Sequence, residues 1–260
     1  MKREMSVAGT FYPREASDIL RYFGSFSALF NKKSSLIKAK TRAVIVPHAG
    51  YVFSGYSANI AYRVLAKSSV KNFVVIGPSH RVAFDGVSMC LASEYLTPFG
   101  AIAKSELIYE SLEKNFGLKE IITHAEHSTE VQFPFIKHYI EGAKIVELVY
   151  GSVDPSALSE IIDMILSLED CGVIISTDLS HFYNEQYANE LDNVCLEAIE
   201  KLDTFLLHKG CEACGILGVE AMMLSARAQK LNPIILDYRT SSDASGDESS
   251  VVGYMSACFV

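Results

Sequence analysis

The runs "AVIV" (43–46), "NFVVI" (72–76) and "GVIIS" (172–176) are short, β-branched and continuously apolar. A strand of that kind is buried on both faces, which happens in a parallel sheet covered by helices on either side. Segments with helical spacing lie between the runs, and this alternation is the signature of an α/β fold. Strands are expected at 42–47, 72–77, 85–91, 144–150, 172–177, 233–239 and 251–259. Helices are expected at 15–31, 55–66, 103–116, 129–140, 155–168, 184–200 and 215–230. Asp154 caps the 155–168 helix with Pro155 in its first turn, and Pro134 must bend or interrupt the 129–140 segment. The small, polar run "TSSDASGDESS" (240–250) is expected to be a loop between two strands. The pattern predicts one α/β domain over 1–260, with a largely parallel central sheet flanked by helices.

Bulk properties narrow the function. The formal charge of -8 leaves no basic stripe to neutralise phosphates, which argues against nucleic-acid binding. No apolar run reaches the roughly 18 residues that cross a bilayer, and no apolar segment follows the N-terminal charges as in a signal peptide. A cytoplasmic protein without a membrane role is expected. The six cysteines (Cys90, Cys171, Cys195, Cys211, Cys214, Cys258) show no framework and are expected to be free thiols. "GCEACG" holds one C-x-x-C pair, and structural zinc needs a second pair. Neither a nucleophile elbow nor a phosphate-binding loop is present.

Three histidines follow apolar runs at once: His48 after "RAVIVP", His80 after "NFVVIGPS" and His181 after "GVIISTDLS". In open α/β sheets the crevice beyond the carboxyl ends of parallel strands is where ligands bind. A single strand–helix–strand unit separates His48 from His80, so both should reach the same edge of the sheet. Gly50 and Gly77 allow tight turns there. Within "STDLSH", Asp178 is close enough to orient His181, and "THAEHSTE" adds Glu126, His127 and Glu130 from a loop. His127 joins His181 and Asp178 as a candidate for proton transfer, and Tyr51 and Glu126 are candidates to contact a substrate. Tyr56 is expected to pack. His124 is expected on a surface loop, and His138 and His208 on the surface or in packing.

"AGTFYP", "VPHAGYVFSG", "GPSH", "EHSTEVQFPF", "STDLSH" and "VVGY" together resemble the motifs of the Memo family, also called AmmeMemoRadiSam system protein B. That resemblance spans Ala8 to Tyr254. It implies an α/β/α architecture similar to the LigB-like class III extradiol dioxygenases, which hold Fe(II) with two histidines and a carboxylate. By position, His48 and His80 match the histidine ligands and His181 matches the acid–base histidine. Where animal Memo proteins have a cysteine before the last strand, this sequence has Ala244, which cannot ligate. Asp243 is favoured as a replacement ligand, with Asp247 an alternative. Fe(II) is favoured, copper or zinc would also suit the imidazoles, and a site without metal is equally compatible with Ala244. The resemblance implies redox chemistry on an unidentified small substrate. The alternatives are a binding or scaffold protein that recognises a peptide or partner protein in the crevice, and a metal-dependent hydrolase. The family name implies AMMECR-type and radical SAM proteins as partners.

Overall fold

The computed structural model describes residues 1–31 and 40–260. Four parallel strands form the centre in the order Lys144–Tyr150, Asn72–Pro78, Cys171–Ser176, Ala43–Val46. All residues of the last three are buried, as their unbroken apolar runs require. Val251–Phe259 pairs antiparallel with Ala43–Val46, and Pro233–Thr240 pairs antiparallel beyond it. On the opposite side, Ile102–Lys104 runs parallel to the start of Lys144–Tyr150, and Val87–Cys90 runs antiparallel to its end.

The two faces of the sheet sort the core by a period of two. Ala43, Ile45, Val74, Ile76, Val173 and Ile175 point to one face. There they share a core with apolar residues of the helices Pro155–Ser167 and Ile216–Gln229. Val44, Val46, Phe73, Val75 and Ile174 point to the other. That face is covered by Ala16–Asn31, Tyr51–Leu65 and Phe133–Tyr139. The result is a three-layer α/β/α arrangement around a largely parallel sheet, as expected. No helix among the described residues is long and apolar enough to cross a membrane.

Several expectations need correction. The 103–116 segment starts as a strand, because Ser105 accepts a hydrogen bond from the Ile108 N–H and starts the helix Glu106–Asn115 there. As expected, by contrast, Pro134 interrupts the 129–140 segment, dividing it into His127–Glu130 and Phe133–Tyr139, since proline is tolerated only in a first turn. The helix expected at 55–66 begins at Tyr51, and the 240–250 run contains a single turn, Ser242–Ser245. Cys195 and Cys211 form a disulfide between the helix Glu185–Lys201 and the loop ahead of Ile216–Gln229, so only Cys90, Cys171, Cys214 and Cys258 are free.

Candidate metal centre

Because the central strands are parallel, their carboxyl ends share one edge of the sheet. His48 follows Ala43–Val46 by two residues, His80 follows Asn72–Pro78 by two, and the strand Cys171–Ser176 runs between them. The ring centroids of His48 and His80 are 5.2 Å apart. His127, at the start of a short helix, completes a trio, 5.4 Å from His48 and 4.5 Å from His80. Gly77 permits this approach. A Cβ at that position would lie 2.6 Å from Ser128 Oγ, and it is this hydroxyl that donates to the Pro78 carbonyl. The glycine serves close packing here rather than the turn expected of it.

Hydrogen-bond accounting fixes the His48 tautomer. The Ser176 hydroxyl donates its one proton to the Ser128 carbonyl and accepts from Gln132 Nε2 at 2.9 Å. Only a lone pair remains for His48 Nδ1, 3.0 Å away, so Nδ1 carries the proton. Gln132 is held in turn by the Pro47 carbonyl and the Tyr62 hydroxyl. His48 Nε2 is therefore an unprotonated donor atom, and it faces Cys214 Sγ at 3.3 Å. Burial holds the His48 pKa well below the usual range, and His80, His127 and His181 push the same way. The ring is neutral, as a ligand must be.

Glu126 does for the other two rings what Ser176 does for His48. Burial alone would raise its pKa, but hydrogen bonds from His127 and His80 hold the carboxylate well below the usual range. Oε1 lies 2.9 Å from His127 Nδ1 and 3.3 Å from His80 Nδ1, while Oε2 accepts the His80 backbone N–H. With Nδ1 engaged on each ring, Nε2 remains to meet a ligand.

His48, His80 and Cys214 each present a donor atom, all within 4.8 Å of one another. Sequence reasoning did not place Cys214 in this group. Burial pushes its thiol up to about 12, the opposite of the activation that a helix start could provide, so a thiolate there would need a bound cation beside it. Asp243 joins none of the three donor groups found among the described residues. Its carboxylate accepts the Thr240 N–H inside the Ser242–Ser245 turn, held there by local geometry.

The remaining expectations divide. Asp178 does not hold the His181 ring; its buried carboxylate accepts the His48 N–H at 2.7 Å, and burial raises its pKa. His181 begins a short strand paired with Val252, and its nearness helps to lower the His48 pKa. Tyr51 is not in a crevice but within the aromatic core, its hydroxyl donating to the Val131 carbonyl. Glu130 is also buried, paired with Arg3 at 2.5 Å. His124 is buried too, against Ser88, contrary to a place on the surface. A cleft of about 480 Å³ opens beside Glu126, lined also by Arg81, Val82, Phe84, Ile121 and His124.

Removing the Ser176 hydroxyl should release the His48 tautomer while leaving the donor atoms in place. Ser176→Ala is expected to weaken metal affinity by about 10–100-fold, measured by competition with a chelator, and to cost about 1–3 kcal/mol of stability because the Ser128 carbonyl loses its buried donor. An unchanged affinity would show that the hydroxyl does not orient the ring.

The model of the Memo-like protein family matches residues 3–258. A MEMO1 family protein of Methanobrevibacter smithii is 36% identical over the full length of both chains. One from Thermoplasma acidophilum is 32% identical over 98% of each. Among solved structures, an uncharacterized protein of Escherichia coli K12 superposes with a TM-score of 0.57 at 12% identity, over 84% of this chain and 100% of that one. That last likeness is one of fold alone.

Proposed function

The chain belongs to the Memo family, and from that premise we propose that it is a metal-dependent oxidoreductase acting on a small substrate, with His48, His80 and Cys214 as the metal ligands. The observation that carries this reading is the forced His48 tautomer, which leaves Nε2 unprotonated and 3.3 Å from a thiol. Two imidazoles and a thiolate are a soft donor set that favours copper or Fe(II) over magnesium or calcium. Such a metal would supply electron transfer, and the protein's part is orientation and proton handling.

In this reading His127 and His181 move protons at the site. His127 is placed by Glu126 against the other two rings. The cleft beside Glu126 admits the substrate, its Val82, Phe84 and Ile121 walls favouring an apolar body and Arg81 an anionic group.

The test is elemental analysis of protein purified anaerobically without chelator or histidine tag. Wild type should carry near-stoichiometric iron or copper. His48→Ala, His80→Ala and Cys214→Ser should lose it, whereas His181→Ala and Asp243→Ala should keep it. A wild-type protein that refuses added iron and copper would sink the proposal. It would leave the histidines as a binding crevice for a peptide or partner protein, in line with the scaffold alternative.

A further inference from the structure

A second donor cluster lies behind the first. Cys90 ends the strand Val87–Cys90, Glu147 stands in the middle of Lys144–Tyr150, and His124 is in the loop before the His127–Glu130 helix. All three are buried, and their sulfur, nitrogen and oxygen atoms lie within 4.8 Å of one another. We propose that Cys90, His124 and Glu147 form a separate site for a borderline divalent cation of the zinc type.

The polar atoms facing this point are unmatched. The Ser88 hydroxyl lies 2.7 Å from His124 Nε2 and 3.3 Å from the Val149 carbonyl, so it can accept from a protonated Nε2 or donate to a bare one. In the tautomer with the proton on Nε2, a lone pair on Nδ1 is open to a cation. That atom faces Glu147 Oε2 at 3.2 Å, and neither finds a hydrogen-bond partner among the described residues. A buried imidazole nitrogen and carboxylate oxygen this close must share a proton or a cation between them. Their separation is near the roughly 3.4 Å that nitrogen and oxygen ligands span around tetrahedral zinc. Glu147's other oxygen is occupied by Thr129 and lies 3.5 Å from Arg3, so Oε2 alone is free for a cation.

Charge balance supports the same assignment. Arg3 is shared by two buried carboxylates, Glu130 and Glu147, which leaves the cluster one negative charge in excess when His124 is neutral. A divalent ion bound with a Cys90 thiolate brings the sum to zero. Imidazole, thiolate and carboxylate suit zinc or cobalt(II) better than calcium. His124 and Ser88 also line the 480 Å³ cleft, which gives an ion a way in.

The experiment uses the full chain carrying His48→Ala and Cys214→Ser, so that the first centre contributes no thiolate. Titration with cobalt(II) alone is expected to give one equivalent and a thiolate-to-cobalt charge-transfer band, displaced by zinc. Adding Cys90→Ser should abolish the band. Adding His124→Gln should weaken binding at least tenfold while the thiol stays, which keeps the test informative if Cys90→Ser fails to fold. Absence of the band from the background protein, or its persistence with Cys90→Ser, would overturn the site and leave a proton between His124 and Glu147. Neither result bears on the His48 centre.

Discussion

Arg3→Ala is expected to cost about 3–5 kcal/mol of folding stability, the range for removing one partner from a buried ion pair. Arg3 lies on the short strand Lys2–Arg3, yet its guanidinium is buried. It meets Glu130 at 2.5 Å and Glu147 at 3.5 Å, and donates to the Glu126 carbonyl at 3.1 Å. Glu130 would keep the Ser6 and Val7 N–H groups and the Tyr12 hydroxyl as donors. Glu147 would keep chiefly Thr129 and would be left a buried charge without its cation. Its carboxyl pKa stays below the usual range, against burial, because Arg3 and His124 face it. Arg3→Lys should rescue little, since one ammonium cannot reach both carboxylates as a fork does. Urea unfolding provides the measurement; a loss under about 1 kcal/mol for Arg3→Ala would show that the cluster is not held by this charge.

Opening the Cys195–Cys211 disulfide is the second large effect. The bridge closes a loop of 16 residues, for which the chain-entropy model gives about 3 kcal/mol. Reductant should therefore lower the thermal midpoint of wild type but not of a Cys195→Ala/Cys211→Ala variant, which should start low. Since Cys211 is three residues from Cys214, reduction should also loosen the loop that carries Cys214 and, on the proposed ligand set, weaken metal binding alongside. Equal midpoints with and without reductant would mean that the bridge adds nothing to stability.

The central strands Ala43–Val46, Asn72–Pro78 and Cys171–Ser176 were legible because a buried parallel strand announces itself as an unbroken Val/Ile run, and the less regular 144–150 and 251–259 also match their expected limits. Elements of two or three residues, such as Glu94–Tyr95 and His181–Tyr183, are too short to show periodicity. Convergence of His48 and His80 followed from strand direction. Cys214 did not, because it reaches His48 across 166 positions and nothing local in "GCEACG" marks it as a ligand. Placing Asp243 in the site relied on its position beside Ala244, and the turn that binds its carboxylate to Thr240 has no counterpart in such a comparison. One signal was visible and passed over: Glu147 interrupts the apolar run "KIVELVY", and a lone carboxylate there demands buried partners. Arg3, Thr129 and His124 are those partners.

The shared carboxylate of Glu126 has a mechanical consequence. His80 and His127 come from different segments, but both Nδ1 atoms lean on the same oxygen. A shift of either ring toward an arriving molecule takes the carboxylate along, and the other ring must follow or lose its anchor. The two imidazoles thus behave as a yoked pair, so that displacing one resets the aim of the other.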